Sequence, residues 1–145
     1  MEYRHAQVTV IPSVLTFALL ASVQIIVAVA GAFVWWTLIF SIAILLLVMH
    51  FGRLVVTIGS GEIAAAFGSG WPVERIAFDE VIEARVVRNH WLEGFGIRKV
   101  RRGWMYNVWG LDAVELERSS GKVFRIGTDE PDMLKAAIDL HLVNR

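Results

Sequence analysis

The hydrophobic and polar positions divide the chain into two parts. From Ile11 to Phe51 there is no Asp, Glu, Lys or Arg. This stretch is about twice the roughly 20 residues that a helix needs to cross a bilayer core about 30 Å thick. The pattern therefore predicts a transmembrane helical hairpin over residues 1–52, with spans at about 12–30 and 34–51.

Residues at both ends of the predicted hairpin suit a membrane interface. Trp35 and Trp36 lie near the expected reversal, where a glycine permits a tight turn, and indoles favour the interface. The nearby cations, Arg4 and Arg53, flank the hairpin, which predicts a multi-pass protein with both termini in the cytoplasm. Cleavage as a signal peptide after residues 28–30 stays open as an alternative.

Polar side chains are rare within the two predicted spans. Gln24 lies near the middle of the first span, where it can hydrogen-bond across the helix pair or to a second copy of the chain. Neither span carries an acidic or basic residue that would move protons or ions. The spans therefore predict an anchor rather than a transporter or a channel.

After Arg53 the pattern changes to short alternating runs separated by turns that contain glycine. Among these runs we expect about seven antiparallel strands in two orthogonal sheets. One run, from Trp104 to Trp109, carries aromatic residues on both of its faces, and only one of those faces is expected to be core. The runs lie at 54–58, 62–67, 74–78, 82–88, 96–100, 103–109, 113–118 and 123–127.

A helix is predicted to close the chain. Asp129 is placed to cap it and Pro131 suits its first turn. An apolar stripe, formed by Leu134, Ala137, Ile138 and either His141 or Leu142, must cover other apolar residues. The fold class is therefore a membrane-anchored α+β protein, in which residues 53–145 form a cytoplasmic domain after the hairpin.

This order of elements resembles the pleckstrin-homology (PH)-like fold, and the stretch 96–138 resembles the bacterial PH domain family found on small membrane proteins. The segment RIGTDEP, residues 125–131, carries much of the resemblance. It implies a domain that serves as a platform for lipids, peptides or proteins, on the bacterial inner membrane. Phosphoinositide-binding members of the wider fold use cations around the first hairpin loop; that loop, read here as 59–62, has none.

Charge and composition restrict the classes of function. The 14 Lys and Arg balance the 14 Asp and Glu, which argues against a nucleic-acid-binding protein. The chain has no cysteine and no nucleotide or cofactor motif, so no cofactor is predicted. The strand carboxylates alternate toward solvent, so an enzyme is not predicted. No metal site is predicted either, because the four histidines, His5, His50, His90 and His141, lie on separate elements.

One segment is basic within this neutral chain. Arg98, Lys99, Arg101 and Arg102 directly precede Trp104, and together they form the candidate surface for a lipid or a partner. The main hypothesis is a non-enzymatic module that binds a protein partner or self-associates as a homo-oligomer at the bilayer. The alternative is a receptor for anionic phospholipid headgroups that uses residues 98–102. A third interpretation also stays open, in which these cations only keep a strand edge soluble by pairing with Glu83, Glu115 or Glu117.

Overall fold

The computed structural model describes residues 3–31, 35–59 and 61–143. Two apolar helices lie outside its β-sheet part. They are α1, Ile11–Val29, and α2, Trp35–Phe51. By length and composition α1 can cross a membrane, with 19 residues and a mean hydropathy of 2.1, whereas α2 is shorter at 17 residues. Part of the predicted reversal, residues 32–34, lies outside the described residues.

The helices pack side by side and run in opposite directions. Near their middle, Gln24 Nε2 donates a hydrogen bond to Ser41 Oγ at 2.9 Å, and Thr37 Oγ1 donates to Gln24 Oε1 at 3.1 Å. Of the alternatives that the sequence leaves open for Gln24, the structure thus shows the hydrogen bond across the helix pair. At the base of the pair, the backbone N–H of Thr9 donates to the carbonyl of Gly52 at 2.9 Å.

The first sheet contains a strand that the sequence did not predict. β1, Tyr3–Val8, precedes α1 and pairs antiparallel with β2, from Tyr3 opposite Ile58 to Val8 opposite Arg53. The sequence prediction places residues 1–52 in the hairpin alone, because the polar run before the apolar stretch is too short to stand out in hydropathy. The sheet has the order β1-β2-β3-β4, with β2 at Arg53–Gly59, β3 at Glu62–Phe67 and β4 at Val73–Ala77.

The position of β1 corrects the identity of the first loop. The connection from β1 to β2 contains both helices, so the helical hairpin is inserted between two paired strands. The turn at 59–62, interpreted above as the first hairpin loop, instead joins β2 to β3, and Ser60 within it lies outside the described residues. The lack of cations at 59–62 therefore does not describe the first loop of this fold.

The second sheet is mixed rather than antiparallel throughout. It has the order β5-β8-β9-β7-β6, and β7 runs parallel to β9. The described residues contain nine strands instead of about seven: β1, which the sequence did not predict, and eight strands that correspond to the eight predicted runs, including the β6–β7 hairpin inserted between β5 and β8. The strands are β5, Val81–Arg88; β6, Gly96–Val100; β7, Gly103–Asn107; β8, Asp112–Arg118; and β9, Val123–Gly127.

The predicted C-terminal helix is confirmed as α3, Pro131–Val143. Leu134 and Ile138 are fully buried in the core between the sheets, and Ala137 and Leu142 pack against it. The helix begins differently from the prediction. Thr128 Oγ1 accepts a hydrogen bond from the backbone N–H of Glu130 at 3.1 Å, while the carboxylate of Asp129 contacts His5 at 2.7 Å.

Candidate functional site

The five residues of the predicted surface lie together on the β6–β7 hairpin. Arg98 and Lys99 belong to β6, Arg101 and Arg102 form the turn, and Trp104 follows in β7. Strand β6 lies at the end of the strand order, so one of its edges has no neighbouring strand within the described chain. The five residues share the hairpin but not one face of it, because Arg98 and Lys99 are consecutive in β6 and point to opposite sides of the sheet.

The aromatic strand is buried on both of its faces along most of its length, which corrects the expectation of one core face. Tyr106 enters the main core, with ring centroids 5.0 Å from Phe67 and 5.1 Å from Phe124. Met105 points the other way into a small second cluster with Val100 and Val123.

This second cluster has a physical explanation in the strand register. Met105 is opposite Arg98 on one side and Arg125 on the other, and the aliphatic stems of arginine side chains cover apolar surface.

Trp104 differs from the rest of its strand because it remains exposed. It shares the core-side face of the sheet with Tyr106, but it lies nearer the hairpin turn and keeps 53% of its surface accessible. Its partner across the hairpin is Lys99, and Ile97 on the same face is 36% exposed. One face of this hairpin thus presents an indole, an aliphatic side chain and an ammonium group.

Only some of the cations are neutralised by acidic partners. Arg102 lies 3.5 Å from Glu117, and Arg98 Nε donates to the carbonyl of Phe95 at 2.9 Å. Lys99 and Arg101 have no ion pair with any described residue. The pairing interpretation therefore holds for Arg102, while two cations remain available to a ligand.

On the neighbouring strands, by contrast, the arginines are paired with acidic side chains. Arg85 contacts Glu83 at 2.6 Å and Glu117 at 3.3 Å, and its hydrogen bond lowers the pKa of the Glu83 carboxyl. Arg125 contacts Glu115 at 2.6 Å and Glu93 at 3.3 Å. These pairs lie on the outer face of the second sheet, away from Trp104.

The basic turn lies at the end of the hairpin that is farther from the helices. Phe95 and Gly96, at the start of β6, line a cleft of about 240 Å³ together with Pro12, Val48 and Phe51 from the helix ends. From Gly96 the strand advances about 3.3 Å per residue, which places Arg101 about 16 Å farther along it. The cations at 98–102 are thus carried away from the helix ends.

The residues predicted to lie at a membrane interface separate into two groups. Trp35 and Trp36 are exposed at the start of α2, at the end of the helix pair that is distant from the sheets. Arg4 and Arg53 lie on β1 and β2, on the outer face of the first sheet.

Arg4 and Arg53 line one surface groove of about 330 Å³ together with Arg75. Sequence reasoning missed this groove, although the alternation of β1 carries the signal: Tyr3, His5 and Gln7 are less exposed than Arg4.

The histidines have separate structural contacts. His90 accepts a hydrogen bond from the backbone N–H of Leu92 at 3.3 Å, and His141 stacks on Phe78 with ring centroids 5.0 Å apart. His141 therefore contributes to the packing of α3. Within the described chain no three His, Asp or Glu side chains are grouped to hold a metal ion.

Two surfaces thus remain as candidates for recognition, the β6–β7 hairpin with Trp104 and the arginine groove of the first sheet. Comparison of the sequence with protein-family models, with curated proteins and with solved structures gave no significant match. The function proposed below therefore rests on the geometry of these surfaces.

Proposed function

We propose that this chain is a non-enzymatic, membrane-anchored interaction module with a PH-like domain, and that its β6–β7 hairpin binds a protein partner or a second copy of itself. The observation that carries the proposal is an exposed Trp104 beside an open strand edge and the unpaired Lys99 and Arg101. Tryptophan and arginine are enriched among the residues that dominate binding energy at protein interfaces.

The open edge of β6 supports the same proposal. An unpaired edge presents backbone N–H and C=O groups that can pair with an extended segment of another chain. Ile97 and Trp104 would contribute apolar contacts on one face, and Lys99 and Arg101 would favour an acidic segment. The expected partner is therefore an extended peptide or strand with an apolar anchor and flanking carboxylates.

Membrane anchoring by both helices is the second part of the proposal. At 1.5 Å per residue, α1 spans about 28 Å and α2 about 26 Å, close to the thickness of a bilayer core. The pairing of β1 with β2, and the hydrogen bond between Thr9 and Gly52, support an even number of crossings, because both chain connections leave the sheet at one place. With Arg4 and Arg53 on that side, the domain would lie in the bacterial cytoplasm at the inner membrane.

The PH-like assignment gains support from the strand order. Without the two inserted hairpins, one helical and one formed by β6 and β7, the fold has a four-stranded meander, the three antiparallel strands β5-β8-β9 and a C-terminal helix. Seven strands and a terminal helix agree in number with the PH-like fold that the sequence resemblance implies, and this agreement supports the proposal. The β6–β7 hairpin lies outside these seven strands, although its residues belong to the stretch 96–138 that carries the resemblance.

The proposal is tested by photo-crosslinking of the full-length protein in its native membrane. A photoreactive residue at Ile97 should yield a discrete crosslinked protein or a dimer, while the same probe at Ile82, 64% exposed on the opposite edge strand, should not. Trp104→Ala should abolish the product at Ile97. Identical products at both positions, or a product that survives Trp104→Ala, would contradict the proposed interface.

The lipid-receptor alternative has a separate outcome. It requires residues 98–102 to contact anionic lipid, although the strand carries them away from the helix ends. If alanine at Arg98, Lys99, Arg101 and Arg102 abolishes binding to anionic vesicles while crosslinking at Ile97 yields no protein, the lipid alternative replaces the main proposal.

A further inference from the structure

The outer face of the first sheet contains a groove that the hairpin interface does not use. Its floor consists of short side chains on the two central strands, Val55, Thr57, Ala64 and Ala66. Arginines on the two outer strands flank this floor, because Arg4 is opposite Thr57, Thr57 is opposite Ala64, and Ala64 is opposite Arg75. Long side chains at the margins and short ones between them produce the groove.

The described lining of the groove is positively charged. Among the residues that the structure describes, the ionisable side chains that line it are Arg4, Arg53 and Arg75, and none is a carboxylate. Arg75 contacts Glu62 at 2.8 Å, whereas Arg4 and Arg53 have no ion pair with any residue that the structure describes. Guanidinium groups bind phosphate through paired N–H donors, so the groove has the chemistry of a phosphate site.

One end of the groove lies at the base of the helices. Arg53 follows α2 after a single glycine, and its carbonyl accepts a hydrogen bond from the backbone N–H of Gly68 at 2.9 Å. Gly68 also packs against the ring of His50 in the last turn of α2, where a Cβ would lie 2.2 Å from Nδ1. Because Gly68 lines the groove, the groove opens where α2 leaves the domain.

An exposed indole, that of Trp71, lies near the same end of the domain, where α2 leaves it. Trp71 is 72% exposed, and its carbonyl is hydrogen-bonded to the ring of His50. Indole side chains favour the interface between water and hydrocarbon. If α2 crosses a bilayer, Trp71 and Arg53 would both lie near the lipid headgroups.

We propose that this groove binds the phosphate-bearing headgroup of an anionic phospholipid from the adjacent leaflet. Arg53 would contact the phosphodiester at the bilayer surface, and Arg4 and Arg75 would contact headgroup oxygens farther from it. Arg4 is opposite Thr57, which lies four residues, or about 13 Å, from Arg53 along β2. This distance is longer than one inorganic phosphate and suits a substituted headgroup. The inference rests on the proposed membrane anchoring and is independent of the partner hairpin.

The test is native mass spectrometry of the full-length protein in mild detergent, titrated with phosphatidylglycerol or phosphatidylcholine. The double variant Arg4→Gln and Arg53→Gln should weaken phosphatidylglycerol binding at least tenfold, because two of the three guanidiniums are lost. The matched control, Arg98→Gln and Arg101→Gln, removes the same charge from the hairpin and should change binding less than twofold. Equal losses in the two doubles, or no loss in the first, would overturn the site.

Three further measurements make the test specific. Glu62→Gln releases Arg75 and should tighten phosphatidylglycerol binding, whereas weaker binding would contradict the role of Arg75. Arg4→Lys and Arg53→Lys together keep the charge but lose the paired N–H donors, so they should retain only part of the affinity; affinity equal to that of the unchanged protein would refute the contact between guanidinium and phosphate. If soluble glycerol phosphate binds as tightly as the lipid, the lipid headgroup is not the source of the ligand.

Failure of the groove and failure of the proposed function give different results. Release of the full-length protein from membranes by alkaline carbonate would refute the anchoring itself. Retention in the membrane without selective phosphatidylglycerol binding would refute only the groove. Crosslinking at Ile97 in the Arg4→Gln and Arg53→Gln variant reports on the partner hairpin alone, and it should be unchanged.

Discussion

The insertion of the helices between β1 and β2 predicts that the β domain can be made continuous without them. Thr9 and Gly52 are joined by a backbone hydrogen bond of 2.9 Å, and the adjacent pair is Val8 opposite Arg53. Replacing residues 10–51 with Asn-Gly would connect the two strands by a two-residue turn whose twist suits antiparallel strands. We expect this fused domain to fold as a soluble protein, whereas residues 53–145 alone lack an edge strand.

The structure gives the magnitude of the difference between the two proteins. Tyr3 packs against the core, and loss of its contact costs about 2 kcal/mol at about 25 cal/mol per Å². Leu54, Val56 and Ile58 are at most 3% exposed beside β1, and wetting roughly 80 Å² of their surface costs about 2 kcal/mol more. The free energy of unfolding should therefore be about 4 kcal/mol lower without β1, a large part of the 5–15 kcal/mol typical of a domain.

Equilibrium denaturation with urea, followed by tryptophan fluorescence, measures this difference. The fused domain should unfold cooperatively, and residues 53–145 should unfold at much lower urea or associate through the exposed edge of β2. Tyr3→Ala in the fused domain is the matched control and should lose about half of the difference. Equal stability of residues 53–145 and the fused domain would refute the role of β1, and failure of the fused domain to fold would show that the helices are required.

The remaining predictions concern ionisation, strand packing and the helix pair. Burial raises the pKa of both tyrosines, Tyr3 and Tyr106, above the ordinary value of 10.0. Stability should therefore be fully present below pH 10 and decline as the pH rises through the raised values, because the unfolded chain loses these protons first. Absorbance of tyrosinate at about 295 nm should show a native midpoint above the denatured one; coincident midpoints would contradict it. Gly103→Ala would place a Cβ 1.7 Å from a backbone carbonyl oxygen of β9, so we expect a loss of about 3 kcal/mol or more in urea unfolding. At Gly61, where φ is +85° but the space is open, the same substitution should cost only about 1–2 kcal/mol, and equal costs would refute the packing argument. Gln24→Leu removes both hydrogen bonds that Gln24 makes between the helices and should weaken their pairing by about 1 kcal/mol in mixed micelles; an unchanged unfolding midpoint would count against it.

Local patterns in the sequence predict a large part of this fold. The eight strands β2 to β9 lie within about two residues of the eight predicted runs, because alternation of apolar and polar residues reports which side of a half-buried strand faces the core. The apolar stripe of α3 likewise predicts the burial of Leu134 and Ile138. The apolar stretch before Gly52 predicts both helices, because it is about twice as long as the roughly 20 residues of one membrane-length helix.

The sequence predicts which residues of the candidate site lie together, but not which of them are buried. The run from Arg98 to Trp104 is continuous in sequence, so its residues had to lie together wherever the hairpin was placed. Whether a given face of that run is buried depends on the neighbouring strands. Met105 is buried on one face of β7 while Tyr106 is buried on the other. The burial of Met105 follows from the parallel pairing of β7 with β9, which no local pattern encodes.

The sequence by itself determined the apolar hairpin, most strands, the closing helix and the basic segment, because each depends on residues that are neighbours in the chain. Only the tertiary structure decided that β1 pairs with β2 across both helices, and that β7 runs parallel to β9. It also brought Arg4, Arg53 and Arg75 to one groove. Strand order and register depend on contacts between distant segments and on the space left for each backbone, so the pattern of a single segment does not specify them.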